Sequence, residues 1–377
     1  MRVAIGGRVR VIALAGLVAA LAPAAAVALD SHATEGADLA YVKKQIAAAS
    51  APPAFTAPGP AFDASAAKGK KIFLIPQTSA VPFLKIIDDS IKSIGKRVGV
   101  TVTEYPNQGQ PSQWVQGMNQ AIAEKSDAII LGAPPEQLQP QLARAKAAGI
   151  PVVVMHLYDK SMPRPKNVSA TAFAPFTRAA RLEADWAILD TKGKANVVIV
   201  NSNEVPPSRY IVSAMQSEFK ARCPSCKTTV INVPAADWGT KMQSAVQSAL
   251  LDNPQTNYVI PLYDSAAQFV VPGILAAGRS GKVKVASYNG TPFVLKMIQD
   301  DKGVSMDVAE SLDWIAYAHM DQALRLLTGH KPLASVETPI RAFSKANVNQ
   351  AGRPPKADTG FGKSYVAGYA KLWSGGS

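Results

Sequence analysis

Apolar and polar positions along this chain follow two alternating periods. From Lys70 to Val98 (KKIFLIPQTSAVPFLKIIDDSIKSIGKRV) an unbroken apolar run, Ile72–Ile75, gives way to a mostly polar break, Pro76–Val81. Pro82 follows, with apolar residues at Phe83, Ile87, Ile91, Ile94 and Val98. Spacings of three and four put those side chains on one helix face, and proline suits a first helical turn because its missing N–H is not needed there. The stretch reads as buried strand, short loop, amphipathic helix.

The same rhythm recurs. Strands are expected at Ile72–Ile75, Val100–Tyr105, Ala128–Leu131, Val152–Met155, Ala195–Val200, Thr228–Val233, Tyr258–Pro261 and Val283–Ser287. Helices are expected between them at Phe83–Val98, Ser112–Glu124, Pro135–Ala148, Thr177–Leu189, Arg209–Arg222, Gly239–Leu251, Ala266–Ala277 and Thr291–Asp300. Such alternation specifies parallel sheets covered by helices on both faces. Two sets are visible, from about 71 to 172 and from about 192 to 310, followed by a long helix at Leu312–Leu327. A short helix at Asp38–Ala49, a four-proline extended segment at Ala51–Ala61 and an amphipathic stretch at Tyr365–Trp373 lie outside these sets. In an open α/β sheet, ligands bind where loops leave the carboxyl ends of strands, so the Gln77–Leu84 loop is the first place to look for a site.

The first residues, MRVAIGGRVR and then VIALAGLVAALA, have the positive region and the apolar region of a secretory leader. Ala26-Val27-Ala28 offers a small-x-small cleavage site, so residues 1–28 are expected to be removed. No cysteine lies near that site, so a lipid anchor is not indicated. Net charge is +13, and removing Arg2, Arg8 and Arg10 with the leader leaves +10. The basic residues are scattered without interleaved aromatics, which argues against a nucleic-acid partner. In an exported chain Cys223 and Cys226 (CPSC) read as a local disulfide or as two idle thiols.

Enzyme signatures are absent from the sequence. There is no glycine-rich phosphate loop and no GxSxG elbow, and His32, His156, His319 and His330 stand far apart along the chain. No cofactor and no metal site is expected. Two α/β lobes with polar and aromatic residues at strand ends suit a small polar ligand held by closure.

Several pieces, in this order and spacing, carry a resemblance: the Pro82-Phe83 loop, AAGIPVVVM (147–155), SRYIVSAMQSEF (208–219), PAADW (234–238), Tyr263-Asp264 and SYNGTP (287–292). Over about residues 70–340 the chain resembles type I periplasmic solute-binding proteins of the ribose-binding type, the extracytoplasmic receptors of ABC importers. The resemblance implies an α/β fold of two doubly wound parallel-sheet lobes joined by a hinge. It implies a leader at 1–28, an N-terminal extension at 29–68, one lobe from 69–172 plus about 311–338, a second from 173–310 plus about 339–350, and a tail at 351–377.

Carried over residue by residue, the family's ligand contacts fall on Gln77, Phe83 and Leu84 after the first strand, with Val81 beside them, and on His156, Arg209, Trp238, Tyr263, Asn289 and Glu310. Several depart from the pattern. Ala133 replaces a frequent Asn, and His156-Leu157 stand where sugar binders place an Asp-Arg pair. Tyr263 replaces Asn, Asn289 replaces Asp, and Glu310 replaces Gln near a hinge crossing. A buried Glu310 needs a partner, with Arg209 or a cationic group on the ligand as the candidates. Phe83 also fits a core position of its helix, His156 a strand-end role, Arg209 a solvated charge and Trp238 a core position. The implied function is a non-enzymatic, periplasmic, monomeric receptor that hands a sugar, polyol or modified sugar to an ABC permease. The same fold binding a charged or aromatic non-sugar, or serving a chemosensor, is the alternative. A cytoplasmic regulator would need a DNA-binding helix pair where the chain has a leader and a proline-rich segment.

Overall fold

The computed structural model describes residues 36–375; the expected leader lies outside them. The first lobe is built on a five-stranded, all-parallel sheet of β1 (Lys71–Ile75), β2 (Thr101–Glu104), β3 (Ala128–Leu131), β4 (Val152–Met155) and β5 (Ala170–Ala172), in the order β2-β1-β3-β4-β5. The second is built on six strands: β6 (Asn196–Asn201), β7 (Lys227–Asn232), β8 (Tyr258–Pro261), β9 (Lys284–Asn289), β10 (Val304–Glu310) and β11 (Ile340–Ser344), in the order β11-β10-β9-β8-β6-β7. β1, β3, β4 and β8 are buried on both faces, which is why they appear in sequence as unbroken apolar runs.

Helices cover both sheets. α2 (Pro82–Val98) starts on Pro82, buries Ile87, Ile91 and Ile94, and ends at Gly99, whose φ of 74° closes the helix in the left-handed region. The other helices are α3 (Pro111–Ala123), α4 (Gln139–Ala147), α5 (Phe176–Asp190), α6 (Ser208–Arg222), α7 (Trp238–Asp252), α8 (Asp264–Ala276), α9 (Pro292–Gln299) and α10 (Leu312–Leu327). Cys223 and Cys226 form a disulfide just past α6.

Three points differ from the sequence expectation. The helix expected at Pro135–Ala148 is a 3₁₀ turn, Pro135–Leu138, followed by α4: Leu138 leaves helical geometry with φ of −124°, and Pro140 sits in the first turn of α4, where its missing N–H is not needed. Strands β5, β10 and β11 were not expected. β10 reads VSMDVAE, and its apolar run is broken by Ser305 and Asp307 even though Asp307 is fully buried. β11 runs antiparallel to β10, so the second sheet is not purely parallel.

Two segments outside the main alternation are packed into both lobes. α1 (Leu39–Ser50) buries Val42, Ile46 and Ala49 in the core of the second lobe beside α5 and α6. The Arg222 guanidinium lies 3.5 Å from the Tyr41 ring centre, and the Ser50 carbonyl accepts from Arg341 Nε at 2.9 Å. A few residues later Phe55 and Phe62 belong to the first lobe: Phe62 lies under the Arg325 guanidinium, 4.4 Å from its ring centre. At the other end, Phe361 packs on Phe343 in the second lobe, and α11 (Ser364–Trp373) stacks on α10 in the first, Tyr365 on Trp314 at 4.6 Å.

The chain also passes between the lobes from β5 to α5, from β10 to α10, and from α10 to β11. The first and last of these passages pair with each other: Phe173 donates to the Val336 carbonyl, and Thr338 donates to the Phe173 carbonyl. Buried Asp159, beyond β4, accepts from the Thr177 N–H and hydroxyl at the start of α5. No helix among the described residues is long and apolar enough to cross a membrane.

Candidate functional site

His156 is the first residue past β4, and Glu310 is the last residue of β10. The two lobes meet at these strand ends, where His156 Nε2 lies 2.9 Å from Glu310 Oε2. Glu310 is 2 % exposed, and its Oε1 makes no hydrogen bond.

A backbone constraint holds the imidazole in place. His156 has φ of 53°, a left-handed conformation uncommon for residues with a side chain. Its N–H points at Nε2 of His319 on α10, at 3.4 Å. His319 Nδ1 lies 2.8 Å from the Ile315 carbonyl, which can only accept, so Nδ1 carries the proton and Nε2 is free to accept from His156. Burial favours this neutral form and pushes the His319 pKa down to about 4.

Aromatic rings surround the pair. Phe83, from the first turn of α2, has its ring centre 5.4 Å from His156, and Phe176, which opens α5, approaches His156 edge-on at 5.5 Å. Phe176 in turn meets Tyr263 and Tyr288 of the second lobe at 6.5 and 6.0 Å. Burial and the nearby carboxylates of Glu310 and Glu183 raise the pKa of the Tyr263 phenol, so it stays protonated.

The second lobe's side is fixed by a turn after β9. Asn289 has φ of 137° and Gly290 φ of 78°. A Cβ on Gly290 would lie 2.8 Å from Ala309 Cα, so only glycine lets the turn approach β10 this closely. Asp264 pins the turn by accepting from Thr291 N–H at 2.7 Å and Ser287 Oγ at 2.6 Å, and Asp307 accepts from Gly290 N–H at 3.1 Å. Burial raises the pKa of both, and in Asp307 the neighbouring Asp264 adds to the rise. Glu183 on α5 is likewise pushed well up by burial, and its Oε1 has no hydrogen-bond partner.

Of the sequence-derived candidates, ring and polar contacts unite Phe83, His156, Tyr263 and Glu310, and Asn289 stands at the pinned turn. Gln77 and Leu84 are half-buried, and the Gln77 carbonyl accepts from Trp114 Nε1. Arg209 does not meet Glu310. It is exposed, stacks over Tyr210 at 4.5 Å, and lines a cavity of about 410 Å³ with Glu136, Tyr158 and Asn203. Trp238 is half-buried and donates its indole N–H to Ser202 Oγ at 3.0 Å within the second lobe. His319, Phe176, Tyr288 and Glu183 were not singled out from sequence. Only Tyr288, inside SYNGTP, stood in a segment that had drawn attention. No group of three metal-ligating side chains is assembled among the described residues.

A family model described as a periplasmic binding protein domain matches residues 72–331. The chain belongs to that family. The match begins in β1 and ends just past α10, so it spans both sheets but leaves α1, β11 and α11 outside. Among characterised relatives, a D-ribose/D-allose-binding protein of Pseudomonas aeruginosa is 24% identical over 282 residues, covering 72% of this chain and 87% of its own. A solute-binding protein of an ABC transporter from Agrobacterium vitis, solved with bound allitol, is 21% identical with a TM-score of 0.66, covering 76% of this chain and 99% of its own. The 5-methylthioribose transporter solute-binding protein of Thermotoga lettingae is 22% identical with a TM-score of 0.66, covering 81% and 94%. These structural likenesses agree with a periplasmic binding protein type I fold of two α/β lobes. The family is one of extracytoplasmic, substrate-binding transport proteins.

Proposed function

We propose that this chain is the solute-binding receptor of an ABC transporter, capturing a small sugar, polyol or modified sugar between its lobes by hinge closure and delivering it to a membrane permease. The observation that carries this reading is the 2.9 Å contact of His156 with Glu310, made across the two lobes at strand ends and walled by Phe83, Phe176 and Tyr263. Ring faces pack against the C–H faces of a sugar or polyol, while carboxylate, imidazole and phenol exchange hydrogen bonds with its hydroxyls. Groups supplied by both lobes make closure depend on the ligand. The relatives' ligands support the class: ribose or allose for the Pseudomonas protein, allitol for the Agrobacterium one and 5-methylthioribose for the Thermotoga one. The reading includes an extracytoplasmic, monomeric protein without catalytic turnover. It keeps Gln77, Leu84, Arg209, Trp238 and Asn289 as contacts made when a ligand draws the lobes around itself.

A thermal-shift screen of the chain without its leader, against pentoses, hexoses, alditols, amino acids and aromatic acids, tests the proposal. A ligand that binds the folded form raises the melting temperature by mass action. Shifts among sugars or alditols support the reading. Shifts confined to amino acids or aromatic acids overturn the ligand class.

A further inference from the structure

We infer that the ligand of this cleft carries a cationic nitrogen beside its hydroxyls, as an amino sugar or amino polyol does. The inference rests on the receptor reading above and narrows it.

Two buried carboxyl groups with unsatisfied oxygens lie at the strand ends. Glu310 is 2 % exposed and Glu183 is 1 % exposed, and each holds one carboxyl oxygen with no hydrogen-bond partner. Both lie near enough to Tyr263 to raise the pKa of its phenol, after burial. The Tyr288 ring lies beside Tyr263 at 6.2 Å, and its buried hydroxyl faces Glu310. Against these acids the protein sets a single imidazole, His156, on one oxygen of Glu310. The second imidazole, His319, is neutral.

The arginines are engaged elsewhere. Arg325 pairs with Asp321, Arg341 donates to the carbonyl of Ser50, and Arg209 stacks over Tyr210. Among the described residues no lysine or arginine is ion-paired to Glu310 or Glu183.

A sugar hydroxyl given to Glu310 Oε1 would satisfy one lone pair and bring no positive charge to the carboxyl group. An ammonium supplies the countercharge and three donors, enough to reach Glu310 Oε1 and neighbouring acceptors together. Phe83, Phe176, Tyr263 and Tyr288 stand nearby, and an aromatic ring that offers its face to a cation attracts it. The sequence points the same way: an acid stands where the resembled family has a neutral Gln, and the arginine of its usual Asp-Arg pair is missing at Leu157.

Calorimetric titration with matched pairs tests this: D-glucosamine against D-glucose, D-galactosamine against D-galactose, D-mannosamine against D-mannose, and D-glucamine against D-sorbitol. The titrations are run at slightly acidic pH, where each amine holds its proton. The expected result is at least one amine bound about tenfold or more tighter than its neutral parent. Glu310→Gln should remove that preference. Tyr288→Phe, which deletes only a hydroxyl, should reduce it and serves as the second variant if Glu310→Gln does not fold. Binding in which no amine of any pair exceeds its neutral parent overturns the inference and leaves the receptor reading standing. So does an amine preference that survives both variants. Absence of binding by every member of every pair, neutral and amine alike, removes the receptor reading for polyhydroxylated ligands and the inference with it.

Discussion

The ring of Phe55 meets the ring of Tyr369 edge to face at 5.1 Å, which joins the segment ahead of the first strand to the helix at the far end of the chain. Phe55 also lies 6.0 Å from Trp314, so α10 is gripped between the two segments. Since α1, just before Phe55, is embedded in the second lobe, the short stretch between Ser50 and Phe55 ties one lobe to the other beside the hinge.

This contact explains a glycine inside a helix. A Cβ at Gly368 of α11 would overlap the Phe55 ring, so the close approach requires glycine despite its cost in helix propensity. Phe55→Ala should destabilise the fold by about 1–3 kcal/mol, the half-buried share of a large aromatic truncation. Gly368→Ala should also destabilise, by about 1–3 kcal/mol through overpacking. In the Phe55→Ala background the same change should reverse sign and stabilise by up to about 1 kcal/mol, because only helix propensity remains. Denaturant melts of the four proteins of this cycle check the reversal; additive losses contradict it.

Asp88 on α2 is 1 % exposed, with no hydrogen bond to either carboxyl oxygen. Burial, and then the charge of Glu104, raise its pKa from 3.8 to about 7, with Lys92 opposing. Below 3.8 the group is protonated in folded and unfolded chains alike and costs nothing. As pH rises from there the unfolded chain ionises first, so stability falls, and the loss is complete above about 7. Asp88→Asn should therefore raise stability at about pH 8 by about 1–3 kcal/mol and leave it little changed at about pH 4. Urea midpoints at the two pH values measure this; equal effects at both would contradict it.

His319 acts with the opposite sign. Its pKa is depressed from 6.5 to about 4, so the stability it contributes is present above 6.5 and is lost as pH falls toward 4. Imidazole resonances in NMR should show His319 neutral, with the proton on Nδ1, down to about pH 4. Titration near 6.5 would show that His319 is not held buried in solution as described here.

How much of this was legible in the sequence differs by element. Ala128–Leu131, Val152–Met155 and Tyr258–Pro261 are strands with the very ends their apolar runs indicated, because central parallel strands are apolar on both faces. β10 escaped notice because Asp307, which holds the Gly290 turn, sits in the middle of it. The α2 helix carried its own signals in Pro82 and Gly99. The candidate site was legible only through resemblance, which picked out Gln77, Leu84, Arg209, Trp238 and Asn289 together with the four residues that contacts unite, Phe83, His156, Tyr263 and Glu310. Periodicity has no signal for the link of His156 to residues 163 and 154 positions away, or for Phe176, whose role depends on where the hinge places the start of α5. Of the partners considered for a buried Glu310, Arg209 stacks over Tyr210 instead, and His156 stands beside the carboxyl group.

The central claim is capture by closure, and one distance tests it most directly. Gln137 of the first lobe and Asn203 of the second, both exposed, face one cavity between the lobes. Spin labels at these two positions report lobe separation by pulsed electron resonance. The account predicts a broad distribution reaching longer distances without ligand, collapsing to one short, narrow peak when the sugar or polyol giving the largest melting shift is added at saturation. An unchanged distribution at saturation, with calorimetry showing that ligand bound, would contradict it.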